Sequence, residues 1–293
     1  MKIFFVIILF ITQLFCEDDT KIPKLDLRNF GGSMNKIKLN QDPTSFIPKD
    51  QSTILFDSQI DDIKTIAKEF NPQPLTDNNE VSLSTNFGLL KFKLYHKDSP
   101  INCLNFKKLA NSGFYDKTLF HHSVPKFLIQ GGDILTRNHD VDDDGFGGPG
   151  WVVNAEFSDL THSRGTLSMI RSKNDPNSAG SQFFISLSDN KKLDGKYTII
   201  GDLIEGDHVL SRIEKIPSEY KQALLLCRIV IPDNENPDNW IEIDDPVSGK
   251  KLFSKVPLSD DKNSYSETFI SMINNLYRPG VPIKVDSIRV YSK

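Results

Sequence analysis

Four aspartates fall within the six residues Asp140-Val-Asp-Asp-Asp-Gly145, which open like the calcium-binding loop of an EF-hand. Such a loop ends in a bidentate glutamate at its twelfth position. That position here is Trp151, so the run is expected to be a solvated acidic loop rather than a cation site. Cys103 and Cys227 could pair in an oxidising compartment, although their spacing does not demand it, and isolated cysteines are more often simply buried. The sequence has no close CxxC or Cys/His cluster, so no structural zinc site is expected. One adjacent histidine pair, His121-His122, adds two imidazoles, each a single donor when neutral and each titrating ordinarily near pH ~6.5. The net charge of -4 gives no global attraction for nucleic acid or anionic membrane, and no nucleic-acid partner is expected.

The elements that must position these groups are short strands. Val81 to Tyr95 alternates apolar and polar residues on both sides of Asn86-Phe-Gly88, the pattern of two strands joined by a tight turn. Ser99-Pro100 then opens a helix, with Ser99 as N-cap and Gly113 beyond its end, and Ile101, Leu104, Phe106, Leu109 and Ala110 as its apolar face. Apolar runs at Phe127–Ile129, Gly165–Met169, Gln182–Leu187 and Tyr197–Gly201 read as further strands. Many strands and few helices imply a closed barrel or a sandwich.

The two ends differ from this middle. Lys2 precedes an apolar run from Ile3 to Phe15, followed by acidic residues, which is the layout of a signal peptide cleaved near Cys16. The run is shorter than the roughly 20 residues needed to span a bilayer. Residues 1–16 are therefore expected to be a signal peptide and 17–79 a polar leader. Within the leader, Ile60, Ile63, Ile66, Ala67 and Phe70 repeat at helical spacing. The chain closes on Ser292-Lys293 without an ER-retention tetrapeptide, so an endomembrane lumen or secretion is the expected destination.

Four segments stand in a recognisable order: Phe120-His-His-Ser-Val-Pro-Lys-Phe-Leu-Ile-Gln-Gly-Gly-Asp133, Gly165-Thr-Leu-Ser-Met169, Ser181-Gln-Phe-Phe-Ile185 and Leu193-Asp-Gly-Lys-Tyr197. With the loop Gly147-Gly-Pro-Gly150, they resemble the signature blocks of the cyclophilin family of peptidyl-prolyl isomerases. The resemblance runs from about Glu80 to Ile216 and resumes at Arg278 to Tyr291. It implies an all-β fold, an eight-stranded antiparallel barrel capped by two helices, the second around Gly206–Lys215. The domain is expected to span 80–293, with an insertion at about 217–277 read as a decorated loop holding short helices at Glu219–Leu226 and Ser266–Leu276.

The resemblance also implies a groove for proline-containing segments of client proteins, needing no metal or cofactor. Phe127, Leu128, Phe184 and Leu193 match its apolar pocket, and Gln130 and Gln182 match carboxamides that bind peptide backbone. The family's catalytic arginine aligns with His122. Losing that donor is expected to cost about 10²- to 10³-fold in rate, and residual activity should rise as His122 gains a proton. Arg171 could donate from another wall. Ile170 adds bulk where the family has alanine, Tyr197 replaces a histidine, and Lys192 replaces a tryptophan, so cyclosporin binding is expected to be weak. Two functions stay open: a slow prolyl isomerase, and a catalytically inactive binding module that meets a protein partner through its leader or insertion.

Overall fold

The computed structural model describes residues 54–292, so the expected signal peptide and most of the leader lie outside the described residues. The leader's helical spacing forms α1 (Asp57–Glu69), whose Ile60 and Ala67 are buried in the same core cluster as the barrel strands. Ile66 remains exposed. The C-terminal carbonyl of Lys68 accepts from Lys108, which ties this helix to the next one.

β1 (Asn79–Thr85) and β2 (Gly88–Leu94) form the expected hairpin, with Val81 opposite Phe92 and Leu83 opposite Leu90, all fully buried. The turn is held by Thr85, whose hydroxyl donates to the Gly88 carbonyl and accepts from the Phe87 N–H. Gly88 has φ 135°, and a Cβ there would lie 2.8 Å from Val209. Only glycine meets both conditions.

Helix α2 (Pro100–Asn111) starts where Ser99-Pro100 predicts, but Ser99 does not cap it. Its hydroxyl donates instead to the Ile199 carbonyl, and the free N–H groups of Ile101 and Asn102 donate to the Glu156 carboxylate. A carboxylate at a helix N-terminus satisfies both the orphan donors and the macrodipole. The buried face is Cys103, Phe106, Leu109 and Ala110, whereas Ile101 and Leu104, expected on it, are exposed.

The remaining barrel strands are β3 (Leu119–Phe120), β4 (His122–Val124), β5 (Leu128–Gly131), β6 (Thr166–Met169), β7 (Phe183–Ser186), β8 (Ile199–Glu205) and the last strand, β12 (Ile283–Ser292). Their sheet runs β3-β12-β1-β2-β8-β6-β7-β5-β4. Its two ends, β3 and β4, are separated in the chain by His121 alone, so the antiparallel sheet closes on itself. Nine strands stand where eight were expected because the single run from Leu119 to Val124 is broken at that residue. An aromatic set fills one end of the interior, where Phe106, Tyr115 and Phe120 each meet Phe183 with ring centroids 5.6–5.9 Å apart. Helix α3 (Asp207–Ile213) covers the hairpin through Val209, Leu210 and Ile213.

The insertion is more than a decorated loop. α4 (Glu219–Leu226) and α5 (Lys262–Asn274) pack with a second sheet of β9 (Cys227–Arg228), β11 (Lys251–Lys255) and β10 (Trp240–Asp244), in the order β10-β11-β9. Ala223, Ile241, Ile243, Val256, Tyr265, Phe269 and Ile273 form a separate hydrophobic cluster there. Its neck is a clasp in which Glu219 N–H donates to the Arg278 carbonyl and Gly280 N–H donates to that of Pro217. Beyond the neck, the Tyr277 carbonyl accepts from Ser123 N–H, so the insertion ends on the free edge of β4.

Candidate functional site

Alternation across the β4-β5-β7-β6 ladder decides what faces outward. His122 lies opposite Gln130, Gln130 opposite Phe184, and Phe184 opposite Ser168, so these four share one face. The interleaved Ile129, Ile185 and Leu167 point into the barrel core. Next along the strands, Leu128 sits opposite Val124 and Ser186, on the same face as Gln130.

On that outer face Leu128, Phe184 and Leu193 form a third hydrophobic cluster, with Phe127, Ile170 and Tyr197 packed against it. The structure thus brings together all six apolar residues singled out in the sequence. Phe184 is central. The Tyr197 ring meets it edge-on at 5.4 Å, and the His162 ring stacks on it at 5.7 Å and 14°. His162 is fixed in turn by Asp194, 2.9 Å from Nδ1, and by the Ser168 hydroxyl, 3.1 Å from Nε2. Burial lowers its pKa despite the aspartate, so the ring is neutral, with Nδ1–H donating to Asp194 and Nε2 accepting from Ser168. Sequence reading missed His162, which sits in a polar stretch without periodicity.

The polar wall is a relay of amides. Gln130 Nε2 donates to Gln182 Oε1 at 2.9 Å, and Gln182 Nε2 donates to the carbonyls of Gly145 and Gly147, both at 2.8 Å. Those two glycines also donate their N–H groups to Asp133, so the rim loop is pinned from both sides. A Cβ at Gly147 would fall 1.9 Å from Asp133 Oδ1, which leaves no room for another residue. The acidic loop expected to be solvated is partly held in this corner, since the Asp144 side chain is only 6% exposed and lies 3.8 Å from Arg278. Arg278 also donates to the Val141 carbonyl and faces Glu219 at 3.8 Å. Burial lifts the Glu219 carboxyl to about 7 against the opposing pull of Arg278.

His122 packs against the Tyr277 ring with centroids 4.9 Å apart. Burial, with His121 beside it, pushes its imidazole down to about 3. The expected rise in protonation between pH ~8 and ~5.5 therefore does not occur, because the ring stays neutral throughout that range. Arg171 lies 5.1 Å over the Tyr197 ring and donates to the carbonyls of Lys196, Ser172 and Lys173. Its guanidinium is committed to backbone carbonyls and to the face of the Tyr197 ring. Lys192 is exposed on the short 3₁₀ turn whose next residue, Leu193, enters the pocket. Among the described residues no group of histidine, cysteine and carboxylate side chains could hold a metal ion.

A closed antiparallel barrel carrying a separate apolar cluster beside two glutamines on its outer face is the architecture that the resemblance to the prolyl-isomerase class implies. Residues 80–232 match the family described as cyclophilin type peptidyl-prolyl cis-trans isomerase/CLD, and this chain belongs to that family. A peptidyl-prolyl cis-trans isomerase of Acinetobacter baylyi is 36% identical over 146 residues, covering 48% of this chain and 74% of that protein. The mouse protein named probable inactive peptidyl-prolyl cis-trans isomerase-like 6 is 40% identical over 152 residues, covering 48% of this chain and 47% of that protein. Among solved structures, a cyclophilin type peptidyl-prolyl cis-trans isomerase of Cryptosporidium parvum, crystallised in the presence of the dipeptide Ala-Pro, superposes with a TM-score of 0.50 at 29% identity, covering 73% of this chain and 99% of that one.

Proposed function

We propose that this protein binds X-Pro segments of client proteins and isomerises them slowly, as a folding assistant in the secretory pathway. The observation that carries the reading is the cluster of Leu128, Phe184 and Leu193 with Phe127, Ile170 and Tyr197, set apart from the barrel core and bordered by Gln130. An X-Pro bond resists rotation because twisting it breaks amide resonance, which leaves unaided exchange at tens to hundreds of seconds. A pocket that holds the proline ring while a donor meets the twisted amide lowers that barrier by positioning and electrostatics, without a nucleophile or cofactor. Gln130 supplies a carboxamide on the pocket face. His122 supplies one neutral N–H where the family has a charged fork, which accounts for a slow rate.

The second reading is a binding module without catalysis. What favours it is the contact between His122 and Tyr277, which fills the neighbourhood of the missing guanidinium with a ring from the end of the insertion. Lys192, in place of an indole, supports weak cyclosporin binding under either reading. The test is a prolyl-isomerisation assay on a short X-Pro peptide, run beside binding of the same peptide. Binding with accelerated exchange supports the isomerase, binding without it supports the module, and no binding removes both.

A further inference from the structure

Cations neighbour the residues of the outer apolar cluster in this acidic chain, whose net charge is -4. Lys126 precedes Phe127, Arg171 follows Ile170, Lys192 precedes Leu193 and Lys196 precedes Tyr197, so four of the six pocket side chains have a cation next to them in the chain. Lys191 adds a fifth on the 3₁₀ turn that delivers Leu193. The backbone holds these positions firmly. Lys126 has φ 61°, its N–H donates to Glu214 at 3.0 Å and its carbonyl accepts from Ser188 at 2.6 Å. Arg171 is clamped to the carbonyl of Lys196 at 2.8 Å.

The nearby carboxylates offset only part of this rim, since Glu214 is paired with Arg164, whereas Asp194 bonds a neutral imidazole, keeps its charge and acts on Lys191. Asp194 accepts from the backbone and ring of His162, Glu214 accepts from Arg164 at 3.1 Å and from Lys126 N–H, and Asp189 accepts from Arg164 N–H. Among the described residues Lys126, Lys191, Lys192 and Lys196 form no ion pair, and the Arg171 donors go to carbonyls. An excess of charges of one sign around a partly apolar surface raises the local concentration of the opposite charge.

We propose that the groove selects proline segments flanked by anionic side chains, with a carboxylate or phosphate next to the X-Pro bond meeting this rim. The proposal rests on the reading that the pocket takes proline. A single exposed pairing changes affinity only about two- to five-fold. Several exposed cations near the cluster give an expected gain of about five- to twenty-fold at low salt, shrinking toward two-fold at roughly 0.5 M salt.

The experiment is fluorescence anisotropy on the whole protein with equal-length labelled peptides that carry Ala, Glu, phosphoserine or Lys beside Ala-Pro. Versions of the anionic peptides with the proline replaced by alanine serve as controls. Tighter binding of the Glu or the phosphoserine peptide than of the Ala peptide, lost without the proline, is the expected result, and which of the two gains more tells carboxylate from phosphate. The combined substitutions Lys126→Gln, Lys191→Gln and Lys196→Gln should cut the preference to about two-fold while leaving the Ala peptide's affinity unchanged. Equal affinity for the Ala and anionic peptides overturns the selectivity and leaves the proline reading standing. Equal binding without proline, or a preference the triple variant does not reduce, also overturns it. Binding of none of the peptides removes the proline reading and this one together.

Discussion

The rings of His122 and Tyr277 meet with centroids 4.9 Å apart and a tilt of 45°, which joins the strand beside the groove to the last turn of the insertion. The joint is doubled in the backbone, where Ser123 N–H donates to the Tyr277 carbonyl at 2.8 Å. The end of the insertion thus borders His122, the residue that the resemblance aligns with the family's arginine.

His122→Arg should raise kcat/KM on an X-Pro peptide, by up to about 10²-fold, because a charged fork then meets the twisted amide. The guanidinium is larger than the imidazole and must share space with Tyr277. Combining it with Tyr277→Ala should therefore give a larger gain than the single change. A protease-coupled or magnetisation-exchange assay decides, and no gain in either variant would favour the module.

Activity should stay flat from pH ~8 to ~5.5, since His122 is already neutral across that span. Stability should not. A folded pKa of about 3 against an ordinary 6.5 means the unfolded chain takes up a proton that the folded chain refuses between those values. The His122 contribution is complete above pH ~6.5 and is lost as pH falls toward ~3, which amounts to about 1–2 kcal/mol between pH ~7 and ~5. Denaturant midpoints of the wild type and His122→Gln at those two pH values should converge or cross as the solution is acidified. A constant gap would show that the imidazole is freely solvated.

Glu219 has the opposite sign. Its folded pKa of about 7 exceeds the ordinary 4.5, so its contribution is complete below the latter and lost as pH rises through the former. Arg278 and Asp144 face it, and Asn275 bonds to it, yet burial dominates. Glu219→Gln should therefore stabilise the protein at pH ~8 by about 1–3 kcal/mol and have little effect at pH ~4.5, as read from thermal unfolding at both. An equal shift at the two pH values would mean the carboxyl does not titrate in the clasp.

Much of this was legible because alternation and turn chemistry are local. The hairpin around Gly88 needs only neighbours in sequence, Leu128 and Phe184 follow from strand parity, and Phe127, Ile170, Leu193 and Tyr197, which lie off the strands, follow from motif register. What stayed hidden depends on distant partners. The cap of α2 is Glu156 rather than Ser99, because Ser99 is drawn inward to the Ile199 carbonyl. The small sheet of the insertion is built from strands of two to five residues, and the outward Glu242 and Asp244 of β10 disguise it as a charged run. The depressed pKa of the half-buried His122 could not be read at all, since it comes from packing against chain far along the sequence.

The last prediction separates the two residues that face each other at the pocket floor. Phe184 presents its ring to the groove cluster, and His162 backs that ring while bridging Asp194 and Ser168. His162→Phe keeps an aromatic partner for Phe184 but strands the fully buried Ser168 hydroxyl and one bond of Asp194. An unsatisfied buried polar group costs about 1–3 kcal/mol, so stability should fall by that amount while peptide affinity changes less than about two-fold. Phe184→Ala removes a large apolar surface from the pocket itself and should weaken peptide binding by about ten-fold or more. Denaturant titrations and peptide binding on both variants give the comparison. Equal loss of affinity in the two would mean that His162 touches the peptide directly, and the floor of the groove would then lie one layer deeper than Phe184.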